Sequence, residues 1–134
     1  MEKVDRTHWE RAELFEFFSA VSHPFYSVTF RVDVTNLYHY VKERHLSFYY
    51  AMGYLVTDAV NSVKNFRYAI RDGEVWLLDE RIPSLTDLKP GSEQFHIVTL
   101  PKVGGIAEFC ASAQARSAAQ KTLLDQDEEN DNLI

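Results

Sequence analysis

The sequence predicts an α/β fold: a single domain, residues 1–134, with a two-layer arrangement of a mixed β-sheet and helices packed on one face. Three observations lead there. Apolar and polar residues alternate over residues 25–34, the period of a strand with one buried face. Apolar residues recur at helical spacing on either side of that run and again towards the end of the chain. An Asp72-Gly73 pair stands between two β-type runs, a strong short-range hairpin signal.

Taken in order, Thr7 and Glu10 form a T-x-x-E capping box. Leu14, Phe17, Phe18 and Val21 then predict a short amphipathic helix that Ser22, His23 and Pro24 end. The strand follows, with Tyr26, Val28, Phe30, Val32 and Val34 set against Ser27, Thr29, Arg31 and Asp33. Thr35 can cap a helix bearing Leu37, Tyr38 and Val41. Ser47 can cap a longer one with Met52, Leu55, Val56, Ala59, Val60 and Val63 on one side. Phe66 to Ile70 and Val75 to Leu78 make the arms of the hairpin. Residues 79–94 hold Pro83, Pro90 and Gly91 with little periodicity and read as loop. Phe95 to Leu100 is a further strand, and Gly104-Gly105 a turn before an alanine-rich helix running to Leu124. Residues 125–132 read as a solvated acidic loop, and Leu133 and Ile134 as the first residues of another strand, so that the chain reads as truncated or, alternatively, as ending in a frayed tail.

With 46% hydrophobic and 13% aromatic residues, the chain can fill one core. A formal charge of -6 with scattered basic residues argues against nucleic acid as a partner. The N-terminus has no apolar signal-peptide region and no stretch spans a bilayer, so no membrane partner is expected and the default location is cytoplasmic. Cys110 has no second cysteine to pair with and reads as a small buried apolar residue.

No metal site is expected, because His8, His23, His39, His45 and His96 show no metal-ligand spacing. There is no glycine-rich phosphate loop and no G-x-S-x-G elbow. The acidic run lacks the calcium-loop pattern. Phe15, Phe17, Phe18, Phe25 and Tyr26 concentrate aromatic surface around the first helix. They are either ordinary core, which helical spacing favours, or the wall of an apolar ligand pocket.

Several stretches together resemble the chloramphenicol acetyltransferase family. They are W-E-R-A-E-L-F-E-F-F from Trp9 to Phe18, V-D-V-T from Val32 to Thr35, F-Y-Y-A-M-G-Y-L from Phe48 to Leu55 running into Ala59, Val60 and Asn61, and F-R-Y-A-I-R-D-G-E-V from Phe66 to Val75. The fit runs from about Asp5 to Leu100, and residues 101–134 match loosely. The resemblance implies the N-terminal part of a CoA-dependent acyltransferase subunit, homotrimeric when full length. Such an enzyme moves acetyl from acetyl-CoA, as co-substrate, to a hydroxyl of a small molecule such as chloramphenicol.

In that family a histidine of an H-x-x-x-D-G motif is the general base, and a serine hydroxyl helps hold the oxyanion. This sequence contains no H-x-x-x-D-G, so it supplies no catalytic residue by the resemblance and is expected to be inactive alone. By the same resemblance Phe17, Phe18 and Phe95 line the acceptor site, and Arg11 matches an arginine that pairs with the aspartate of that motif. Phe18 stands where chloramphenicol-inactivating members carry tyrosine, and Ser22 near a position usually apolar, so chloramphenicol itself is in doubt as acceptor. Alternatives to the enzyme are a non-catalytic small-molecule binding module and a structural fragment.

Overall fold

The computed structural model describes residues 1–89, 91–124 and 133–134. It is a mixed α/β fold, with helices packed against two small antiparallel sheets where a single mixed sheet is expected. The hairpin forms as the sequence predicts. Strands β2 (Tyr68–Arg71) and β3 (Glu74–Leu77) pair in antiparallel register, Tyr68 opposite Leu77 and Arg71 opposite Glu74. Both turn residues have positive φ, 51° at Asp72 and 75° at Gly73, the paired left-handed conformation that a tight two-residue hairpin needs. A short N-terminal strand, β1 (Glu2–Lys3), adds to the other edge of β3.

The second sheet joins β4 (Ser84–Leu88) to β5 (Phe95–Thr99), with Asp87 opposite His96. Strand β4 lies inside the stretch expected to be loop. Its two leucines, Leu85 and Leu88, do not alternate, so the ladder with β5 and not its own pattern makes it a strand. Leu133 forms a parallel bridge to Ile82, and Ile134 bonds both Ile82 and Ser84, in keeping with the expected strand start. The acidic loop at residues 125–132 lies outside the described residues.

Four α-helices complete the order: α1 (Ala12–Ser19), α2 (Thr35–Glu43), α3 (Phe48–Ser62) and α4 (Ile106–Ala119). Ser47 caps α3 as expected, its hydroxyl accepting from the Tyr50 N–H at 3.4 Å. The cap before α2 comes from Asp33, whose carboxylate accepts from the Thr35 N–H at 2.9 Å. This corrects the assignment of that role to Thr35, which is itself the first helical residue. Thr7 and Glu10 make no capping box. The Thr7 N–H and hydroxyl are both taken by Asp5, and α1 starts after Arg11 with no side-chain cap. Helix α4 stops at Ala119, five residues short of the expected Leu124. Gln120 turns extended there, and its side-chain amide bonds the carbonyls of Ile97, Thr122 and Leu123.

The core lies between α2, α3, α4 and β5, where Val41, Tyr50, Ala51, Val98, Leu100, Phe109, Cys110 and Ala113 are buried together. Helix α3 buries Tyr50, Ala51 and Thr57, not the side led by Leu55 and Val56, which are exposed. The helix is apolar around most of its circumference, so periodicity does not select the face that packs. Burial raises the Cys110 thiol, as the reading of a small core residue implies. Asn61 at the end of α3 clasps Arg81 through both its amide atoms, and the Arg81 guanidinium bonds the carbonyls of Phe66 and Tyr68. That clasp ties the hairpin to the helical layer.

One polar cluster enters the core. The Asp87 carboxylate accepts from the Tyr50 hydroxyl and from the Ser117 hydroxyl, the latter at 2.6 Å, while its other oxygen accepts from the Leu88 N–H at 2.8 Å. His96 Nε2 lies 2.9 Å from Ser117 Oγ. Since the Ser117 proton goes to the carboxylate, Nε2 is the donor to Ser117.

The segment expected to be the clearest strand is not one. Residues 25–34 form neither helix nor strand and belong to neither sheet, and Phe25, Tyr26, Val28, Phe30 and Val32 are all exposed. Among the described residues no backbone hydrogen bond ties residues 25–33 to another segment. Alternation specifies which face a strand would bury, but a strand exists only where a neighbour supplies the ladder. No helix among the described residues is long and apolar enough to cross a membrane.

Candidate functional site

Helix α1 buries none of its residues, and its apolar face opens on a groove of about 560 Å³. The groove is built from three parts of the chain. Trp9, Leu14, Phe15 and Phe18 come from α1 and the turn before it. Pro24, Phe25 and Tyr26 come from the segment after α1, and Tyr68 and Ile70 from β2. Tyr68 and Ile70 are two apart on one strand and so face the same side.

An aromatic cluster gives the groove its floor. Trp9 meets Tyr68 edge-on with centroids 5.2 Å apart and Phe15 at 5.9 Å. The Trp9 indole N–H donates to the Tyr68 hydroxyl at 3.3 Å, which leaves the Tyr68 proton free for a ligand. Outside the floor, the Arg6 guanidinium lies 5.2 Å from the centre of the Phe15 ring and pairs with Glu16 at 3.3 Å. In the turn before α1, hydrogen bonds from Thr7 and then His8 hold the exposed Asp5 carboxyl below its usual range.

Three further polar residues line the groove: Arg11, Ser19 and His23. The Ser19 hydroxyl is already committed to the Phe15 carbonyl at 2.6 Å. His23 shares its Nδ1 with the Ser22 hydroxyl at 3.2 Å, and its Nε2 has no hydrogen bond among the described residues. The Arg11 guanidinium has no hydrogen bond or ion pair among the described residues, and no acidic residue lines the groove. No group of three or more His, Cys, Asp or Glu that could hold a metal occurs among the described residues.

The structure places the residues expected at the site in three locations. Arg11 and Phe18 line the groove together. Phe17 stacks edge-on against Phe18 at 5.2 Å but points out, with 66% of its surface exposed, and Ser22 touches the site only through His23. Phe95 is exposed at the start of β5 and does not line the groove. Of the two readings of the aromatic concentration, ordinary core does not hold, because Phe17, Phe18, Phe25 and Tyr26 are all exposed. Sequence reasoning missed Trp9, His23, Tyr68 and Ile70. The period-2 placement of Tyr68 and Ile70 was a signal for the last two, but no local pattern connects the hairpin to α1.

The groove is suited to hold a small, mainly apolar molecule against aromatic rings, with a phenol, an imidazole nitrogen and a guanidinium as polar handles. The sequence profile of the family described as chloramphenicol acetyltransferase matches residues 1–133. A chloramphenicol acetyltransferase of Clostridium perfringens is 39% identical over 95 residues, 70% of this chain and 44% of the relative. Chloramphenicol acetyltransferase 3 of Escherichia coli is 32% identical over 107 residues, 80% of this chain and 50% of the relative. A solved chloramphenicol acetyltransferase superposes with a TM-score of 0.77 at 27% identity, covering 90% of this chain and 57% of that one. The chain thus spans about half the length of the curated relatives it matches. With matching profile, sequence and fold, the chain belongs to the chloramphenicol acetyltransferase family.

Proposed function

We propose that the groove is the acceptor side of an acetyl-CoA-dependent O-acetyltransferase, which acetylates a hydroxyl of a small molecule such as chloramphenicol and assembles as a homotrimer. One observation carries this: Phe18, assigned to the acceptor site by resemblance, lies on a groove of drug-sized volume whose walls are the rings of Trp9, Phe15, Phe25 and Tyr68. The lining suits an acceptor better than acetyl-CoA. A nucleotide pyrophosphate is held by clustered cations or backbone N–H groups, and this groove offers one guanidinium.

The chain's own residues bind and orient in this scheme. Trp9, Phe15 and Phe18 present rings to the acceptor body, and the Tyr68 hydroxyl can donate to a polar substituent. An alcohol near neutral pH is a poor nucleophile without a positioned base. The sequence lacks the H-x-x-x-D-G motif that the family uses for this, so acetyl transfer by the 134-residue chain alone is expected to be absent.

The test titrates chloramphenicol into the purified chain while following Trp9 fluorescence in a Trp76→Phe background, beside an acetyl-CoA turnover assay. Saturable binding without turnover is expected. Phe18→Ala should weaken binding by up to about tenfold through the lost ring contact, and Phe95→Ala should not. Phe18→Tyr should tighten binding by up to about tenfold if the added hydroxyl finds a partner. Binding that is indifferent to both Phe18 substitutions would place the acceptor elsewhere.

A further inference from the structure

We infer that Tyr68 sets the specificity of the groove: it selects a neutral aromatic alcohol whose ring carries a hydrogen-bond-accepting group, such as a nitro or carbonyl oxygen. This deepens the acceptor reading above and rests on it. The contact between Trp9 and Tyr68 carries it. The Trp9 indole N–H donates to the Tyr68 hydroxyl at 3.3 Å, and the two rings meet edge-on with centroids 5.2 Å apart. An indole nitrogen donates and never accepts, so the direction of this hydrogen bond is fixed. The phenol oxygen is occupied as an acceptor, and Tyr68 meets a ligand as a donor.

The phenol is also held in place. Tyr68 stands on β2 opposite Leu77 of β3, and its carbonyl accepts from the Arg81 guanidinium at 2.6 Å. Asn61 of α3 bonds the Arg81 backbone in turn, so the strand that carries the ring is tied to the helical layer. A donor on a paired strand is positioned more sharply than one on a loop. The Ser19 hydroxyl is spent on the Phe15 carbonyl, and Arg11 belongs by resemblance to an ion pair and has no part in the selection. Trp9, Leu14, Phe15 and Phe18 offer apolar surface that holds a ring without distinguishing its polar substituents.

The probes are three benzyl alcohols that differ only at the para position, 4-acetyl, 4-isopropyl and 4-amino, titrated into the full chain and followed by NMR. Acetyl and isopropyl have nearly the same shape, and only acetyl accepts a hydrogen bond. Isopropyl is the more apolar, so the measure is the acetyl-to-isopropyl affinity ratio compared between variants, in which the transfer difference cancels. Tyr68→Phe should lower that ratio by about two- to tenfold, the range for one neutral hydrogen bond, and leave isopropyl affinity unchanged. Chloramphenicol, with a nitro group on its ring, should weaken in parallel. Trp9→Phe keeps an aromatic ring but releases the phenol oxygen to accept, so the affinity of the amino probe relative to isopropyl should rise by a similar factor. Isopropyl binding to each variant also reports that the groove has stayed folded.

An acetyl-to-isopropyl ratio that Tyr68→Phe leaves unchanged overturns the inference, and so does an amino probe that gains nothing in Trp9→Phe. In either case, isopropyl binding that Phe18→Ala weakens leaves the acceptor groove standing. If neither the probes nor chloramphenicol bind, both readings fall.

Discussion

Removing the Asp87 carboxylate should loosen the protein more than its position on a partly exposed strand suggests. Tyr50 and Ser117, whose hydroxyls donate to it, are 4% and 7% exposed, so Asp87→Ala leaves two donors on buried residues without an acceptor. A buried polar group stripped of its partner costs about 1–3 kcal/mol, and two of them less relaxation give about 3 kcal/mol. Asp87→Asn keeps one acceptor oxygen and should cost about 1 kcal/mol.

Burial opposes ionisation of Asp87, but the hydrogen bonds from Ser117, Tyr50 and the Leu88 N–H, with His96 nearby, outweigh it and hold the carboxyl below its usual range. A lowered carboxyl contributes stability that is complete above the unfolded value of about 4 and is lost as pH falls through the folded one. The gap between wild type and Asp87→Asn in urea should therefore be full at neutral pH and close on acidification below about pH 4. A gap that stays constant on acidification, or an Asp87→Ala midpoint equal to that of wild type, would refute the cluster as a source of stability.

Three other outcomes follow from the same packing. Burial, then the hydrogen bond to Asp87, push the Tyr50 phenol up to about 12, so wild type should lose stability between about pH 10 and 12 in a way that Tyr50→Phe does not, read from urea midpoints. Phe109 is 0% exposed in the centre of the core, and Phe109→Ala should cost about 3–5 kcal/mol by the same assay. Gly73 has φ of +75° with open space around its missing Cβ, so Gly73→Ala should cost about 1 kcal/mol in unfolding free energy through backbone strain alone and leave chloramphenicol affinity unchanged.

What could be read from the sequence is what adjacent residues decide among themselves. Asp72-Gly73 forms its turn, and Ser47 caps α3, because each needs only its own neighbours. Thr7 fails as a cap because Asp5, two residues away, competes for the same groups. Strand β4 was hidden because its identity is conferred by β5 across the ladder. The acceptor side was legible only in part. Phe18 came through resemblance as an acceptor-site residue and Arg11 only as half of an ion pair, but the groove is closed by β2 and by residues 24–26, whose approach to α1 no sequence period encodes. Phe95 shows the reverse: assigned to the site by resemblance, it lies on the other sheet and outside the groove.

The unpaired segment after α1 bears on how long the protein survives among proteases. A protease binds its substrate as an open strand, and for most folded chains that requires prior opening, so cleavage tracks unfolding free energy. From Phe25 to Asp33 the backbone makes no hydrogen bond to another segment among the described residues, and its aromatic side chains are exposed. A chymotrypsin-like enzyme can engage Phe25, Tyr26 or Phe30 with the core intact. The first cut then proceeds at a rate set by local access, and core substitutions that shift the urea midpoint leave it unchanged. It also leaves α1 and its half of the groove held to the rest only through β1 on β3 and Trp9 on Tyr68, so loss of ligand binding would precede loss of fold.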